Sequence, residues 1–203
     1  MLTWRYVVAG GLLLLMSLAC LQAHPQPPTV FRTQVIYRHT NSVQSVHINN
    51  NGWVVWSEGD FTRSDVWLYN GSAVRRLSAG EQRRLNTSAR LNNRNQIVWR
   101  YDDGEVSDVV LWDSGILTNI TRSDGSVGFG APDINDLGWV VTTGTDAFTG
   151  YQDIYIWKPG YSDPENLTYW ADFDSQNPRI NNLGEVIWNA VDAAANPQIY
   201  LAH

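Results

Sequence analysis

Ile48-Asn49-Asn50-Asn51-Gly52-Trp53-Val54-Val55-Trp56 returns 43 residues later as Leu91-Asn92-Asn93-Arg94-Asn95-Gln96-Ile97-Val98-Trp99. It returns again after another 43 as Ile134-Asn135-Asp136-Leu137-Gly138-Trp139-Val140-Val141-Thr142, and after 46 more as Ile180-Asn181-Asn182-Leu183-Gly184-Glu185-Val186-Ile187-Trp188. A fixed period of this size means one supersecondary unit used repeatedly, and it decides the architecture before any single residue is weighed. A second apolar run comes at 17, 17, 19 and 18 residues from the leading Ile or Leu: Asp65-Val66-Trp67-Leu68-Tyr69, Asp108-Val109-Val110-Leu111-Trp112, Asp153-Ile154-Tyr155-Ile156-Trp157 and Gln198-Ile199-Tyr200-Leu201. A third short element closes the first three units: Val74-Arg75-Arg76-Leu77-Ser78, Leu117-Thr118-Asn119-Ile120-Thr121 and Glu165-Asn166-Leu167-Thr168. The fourth unit reaches His203 without one.

These runs are short, rich in Val, Ile, Trp and Tyr, and bounded by Gly, Asn and Asp, which is strand chemistry. Beyond the N-terminus no stretch shows the 3.6-residue apolar period of a helix, so the chain reads as all-β. The Asn-Asn-x-Gly and Asn-Asp-x-Gly segments read as tight turns, since Gly takes positive φ freely and Asn tolerates it while bonding to nearby backbone. Each unit then predicts four short antiparallel strands, which is the size of a β-propeller blade. The expectation is a propeller of four four-stranded blades. The N-terminal stretch Val30-Phe31-Arg32-Thr33-Gln34-Val35-Ile36-Tyr37 stands where it can supply the strand missing from the last blade, closing the ring and removing its open edges. The alternative is a half-ring that dimerises.

The unit resembles the TolB-like propeller repeat of bacterial periplasmic and surface proteins. The likeness rests on the Asn-x-Gly or Asp-x-Gly turn, the aromatic-ended strand, the Asp-Ile-Tyr-type strand and the closing Leu-Thr. Pro132 and Pro178 stand two residues before the leading Ile of units three and four, while Ser45 and Ala89 stand at or near that place in units one and two. The resemblance covers residues 30–203. It implies a fold and an envelope setting but no chemistry, because propellers host binding, scaffolding and catalysis alike.

The chain has 203 residues, 20 acidic and 14 basic, for a net charge of −6. That balance excludes a nucleic-acid partner, which demands a basic stripe. Arg5 is followed by the apolar stretch Val7 to Leu18, too short for a membrane span, and then by Pro25, Pro27 and Pro28. Residues 1–23 therefore read as a secretory signal peptide, 24–29 as a Pro-rich tether and 30–203 as the propeller domain. Cys20, the one cysteine, offers lipidation as an alternative to plain cleavage, so the expected location is periplasmic or extracellular, either free or membrane-tethered. A body without cysteine has no disulfide and must be held by blade packing.

Two groups of residues are candidate contacts. His47, Arg90, Asp133 and Arg179 each precede the leading residue of a unit and should line the mouth of the central channel, where the two Arg can pair with Asp133 or fork onto a carboxylate. Trp170, Asp172, Phe173 and Asp174, joined by Phe148 and Tyr151 in the longer third unit, place non-repeating aromatics beside carboxylates on loops, which suits a protein or a sugar. Asp60, Asp103, Asp146 and Asp192 recur in every unit, which favours local turn bonding over a cation ring. The recurring Trp56, Trp99, Trp188, Trp67, Trp112 and Trp157 read as inter-blade core. No nucleophile elbow, phosphate loop or metal-ligand spacing occurs, so the expectation is a non-enzyme without cofactor or metal. It would bind an envelope or extracellular protein, or alternatively a glycan, as a monomer or dimer. A hydrolase or lyase using His47 and the channel carboxylates is a third reading.

Overall fold

Strands form where the repeat places them. The computed structural model describes residues 32–78, 84–169, 173–192 and 194–203, and these contain strands and turns but no helix. The first blade is β1 (Ser42–Ile48), β2 (Val54–Gly59), β3 (Ser64–Tyr69) and β4 (Val74–Arg76). The second is β5 (Leu85–Leu91), β6 (Ile97–Asp102), β7 (Ser107–Asp113) and β8 (Ile116–Asn119). The third is β9 (Val127–Phe129), β10 (Asp133–Ile134), β11 (Val140–Asp146), β12 (Gln152–Trp157) and β13 (Glu165–Asn166). The fourth is β14 (Ser175–Ile180), β15 (Val186–Val191) and β16 (Pro197–Ala202). Apart from β9 and β10, successive strands within each blade pair antiparallel. In the third blade the inner strand is split into β9 and β10, both paired with β11, at a gap that holds Pro132, which has no N–H to give a ladder.

The Asn of each unit builds its own turn and then reaches the next blade. Oδ1 of Asn49 accepts the N–H groups of Asn51 and Trp53, and Asn92, Asn135 and Asn181 cap their turns in the same way. The turn needs one residue at positive φ, supplied by Gly52, Gly138 and Gly184, and in the second unit by Asn95 at φ 64°. Nδ2 of Asn49 donates to the Asn92 carbonyl (2.9 Å), Asn92 to that of Asn135 (2.8 Å) and Asn135 to that of Asn181 (2.9 Å). A second rung runs beside it: the N–H of Asn50 donates to Oδ1 of Asn93, that of Asn93 to Oδ1 of Asp136, and that of Asp136 to Oδ1 of Asn182.

Apolar cores fill the three seams. Val55, Val66, Leu68 and Leu77 meet Ala89, Ile97, Trp99 and Trp112; Val98, Val109, Leu111 and Ile120 meet Phe129, Ile134 and Val140; Val141, Ile154 and Ile156 meet Val186, Trp188 and Ala190. Trp56 is also buried, while Trp67 and Trp157 are half-buried. Fourth strands are latched by a hydroxyl. Ser78, Thr121 and Thr168 each donate to the Asp that opens the third strand (Asp65, Asp108, Asp153) and accept the N–H of the following Val66, Val109 or Ile154.

The expected closing strand is not seen among the described residues. Residues 32–41 form no strand, and β16 pairs with β15 alone, so the fourth blade has three strands among the described residues. Tyr37 instead lies 5.4 Å from the Trp56 ring and 5.2 Å from the Trp67 ring, on the first blade. Val30, Phe31, the signal segment, Cys20 and the tether at residues 24–29 lie outside the described residues.

Candidate functional site

A bulge sets the position of His47, Arg90 and Arg179, while Asp133 follows the gap at Pro132. β1, β5 and β14 slip register between Gln44 and His47, Thr87 and Arg90, and Gln176 and Arg179, with Ser45, Ser88 and Asn177 at φ 54°, 57° and 55°. The extra residue re-aims the side chains beyond it. His47, Arg90, Asp133 and Arg179 end up opposite Val55, Val98, Val141 and Ile187, the same register in all four blades. Their strands are neighbours in the order β1, β5, β10, β14. The structure brings these four together.

Asp133 is the most enclosed of them. Its Oδ2 accepts the Ile180 N–H at 3.2 Å, and burial pushes its carboxyl up even though Ile180, Arg179 and Arg90 pull the other way. Burial, then the charges of Arg90 and Arg179, hold the His47 imidazole below its ordinary value. Burial and then Arg179 lower Arg90. Arg90 Nη1 donates to the Ala89 carbonyl and Arg179 Nη1 to that of Pro178. Among the described residues no ion pair joins either guanidinium to Asp133, so the expected pairing gives way to a backbone bond. Each guanidinium has five N–H donors, and among the described residues most of them point at no protein acceptor. The site can therefore hold an anionic group.

The aromatic loop residues lie at the other end of the strands. His47 and Arg179 sit beside the Asn turns, whereas Ser42 and Ser175 pair with Gly59 and Ala190, next to the loops that join second to third strands. Phe148, 90% exposed, and Tyr151, 52% exposed, are in such a loop, and Asp174 Oδ1 accepts the N–H of Gln152 beside them. Phe173 is partly buried in the seam between blades three and four, 6.4 Å from the Tyr200 ring, so it serves packing rather than contact. Trp170 and Asp172 lie outside the described residues. Asp60, Asp103, Asp146 and Asp192 each accept backbone N–H groups of their own loop. Among the described residues no cluster of His, Asp or Glu has the arrangement of a metal site. Sequence reasoning missed the Asn ladder, although one Asn in the same place of every unit was its signal.

No family model matches the chain, and no curated protein matches it in sequence. Solved structures do match in fold. TolB from Acinetobacter baumannii superposes with a TM-score of 0.61 at 11% identity, over 79% of this chain and 41% of that one. The fold is a TolB-like β-propeller. The propeller domain of the Trilobed protease from Pyrococcus furiosus, described as having an open velcro topology, matches at 0.59 and 13% identity, over 83% of this chain and 54% of that one. A puromycin-hydrolysing peptidase of Mycobacterium tuberculosis matches at 0.65 and 9%, over 83% and 28%. The propeller chain thus spans less than two thirds of each. The last match corrects one expectation: absence of a familiar catalytic motif does not make this chain a non-enzyme, since proteins named for hydrolysis contain the same fold.

Proposed function

We propose that the chain is a protein-binding module of the bacterial envelope, exported by its N-terminal segment, and that it grips an acidic segment of its partner with Arg90, Arg179 and His47. The observation that carries this reading is the pair of guanidiniums set in equivalent registers without an ion-pair partner among the described residues. Guanidinium–carboxylate bonds are charge-assisted and can be bidentate, and Arg is among the residues that dominate interface energies. The N-terminal apolar stretch supports the location.

Crosslinked affinity capture from the native cells, with the full chain as bait, tests it. A partner retained by the wild type should be lost with Arg90→Ala/Arg179→Ala and kept with Phe148→Ala/Tyr151→Ala. The reverse pattern would move the contact to the opposite rim. Phe148 and Tyr151, exposed beside Asp174, support a second reading as a glycan site, which a glycan array with binding abolished by Phe148→Ala would establish.

A further inference from the structure

The three seams share one pattern, and the fourth blade carries it uncovered. Val55, Val66 and Leu68, then Val98, Val109 and Leu111, then Val141, Ile154 and Ile156 occupy equivalent positions and are buried against the next blade. Their counterparts in the fourth blade are Ile187, Ile199 and Leu201, equally apolar but 45%, 82% and 52% exposed. At the other end, Ala89 and Leu91 of the second blade sit in a seam, while their counterparts Val46 and Ile48 in the first blade are exposed. Val46 itself helps to line a cavity of about 140 Å³, with Ile36, Tyr37, His39, Val43, Val54 and Trp56.

The polar ladder ends in the same complementary way. In each seam a backbone N–H of one blade meets Oδ1 of the next. Asn182 keeps the donor and Asn50 keeps the acceptor, and among the described residues neither is used. The strand inventory agrees as well. Leu77, Ile120 and Leu167 stand 14, 14 and 13 residues before the leading residue of the next unit, and Ile36 stands 12 before Ile48. Ile36 thus has the sequence place of a fourth-strand residue, and among the described residues the outer edge of β16 is unpaired.

We propose that a second copy of this chain covers the fourth blade with its first blade, and is covered in return. Both new seams continue the existing ones: Ile187, Ile199 and Leu201 pack on Val46, Ile48 and the Tyr37 cavity of the second copy, and the Asn182 N–H donates to its Asn50. One head-to-tail contact between identical units generates a closed ring when its rotation closes, and a ring leaves no open edge. The occupant is a second copy because the surface required is the one the chain itself presents at its other end.

A cysteine pair tests this in the full chain with Cys20→Ala. Asn50→Cys/Asn182→Cys, oxidised mildly, should give a covalent species of two chains. A disulfide within a single chain would overturn the proposal in favour of self-closure. A series of three, four and more chains would overturn it in favour of an open filament, and absence of any link in a single-chain species would overturn the contact itself. Ile199→Asp provides a second reading, since that side chain is largely exposed in one protomer and its change should leave the fold intact. It should raise the dissociation constant of the pair at least tenfold with an unchanged far-UV spectrum. An unchanged constant would show that this face is not the interface.

Discussion

Asn92 performs four bonds with one side chain. Oδ1 takes the N–H groups of Arg94 and Gln96, and Nδ2 serves Gln96 Oε1 and the Asn135 carbonyl. The residue is buried, and a buried polar group left without its partner costs about 1–3 kcal/mol. Asn92→Ala should therefore lower unfolding stability by about 3 kcal/mol in urea titration, while Asn70→Ala, which caps an exposed hairpin, should cost about 0.5 kcal/mol. His47 makes a pH prediction. Its folded pKa lies below the ordinary 6.5, so between those two values the unfolded chain binds more protons and stability rises with pH. The contribution is present above pH 6.5 and is lost as pH falls toward the folded value. His47→Gln should flatten that part of a stability–pH profile, and an unaltered profile would show that neither burial nor the two guanidiniums lowers the His47 imidazole in the folded chain. Much of this scale was legible beforehand, including the equivalence of His47, Arg90, Asp133 and Arg179. The direction of the Asn side chains was not, because a turn needs only Oδ1 and the sequence does not say where Nδ2 points.

The strands and their order came from the spacing of apolar runs, because alternation and turn residues are local properties. The bulges did not, since Ser45, Ser88 and Asn177 are ordinary polar residues whose left-handed backbone is imposed by pairing with the second strand. The fourth-strand latch depends on a hydroxyl reaching an Asp that opens the preceding strand. Thr121 joins Asp108 and the Val109 N–H in buried surroundings. Thr121→Val keeps the shape and deletes the bonds, and should cost about 1–3 kcal/mol, with β8 exchanging its amides first in hydrogen-exchange measurements. Thr121→Ser should retain most of the stability. The fourth unit has Gln198 where the others have this Asp, and among the described residues no such latch forms there. Among the described residues of the stretch expected to serve that blade, Tyr37 packs on Trp56 and Trp67, a contact among side chains from three separate segments that spacing along the chain does not reveal.

At the scale of the whole molecule, three seams repeat one interface and two ends display its halves. Each apolar side chain of the Ile or Leu class taken from water contributes about 1.5–3 kcal/mol, so Ile187, Ile199 and Leu201 leave a substantial driving force unused in a single protomer. The channel residues stay on the inner strands in this arrangement, and pairing brings two such clusters to one assembly. The measurement that tests the account most directly is the solution mass of the full chain by light scattering across a dilution series, alongside Ile199→Asp. The account predicts two chains for the wild type and one for the variant, with matching circular dichroism. A wild type that remains a single chain at every concentration, or a variant that stays paired, would contradict it.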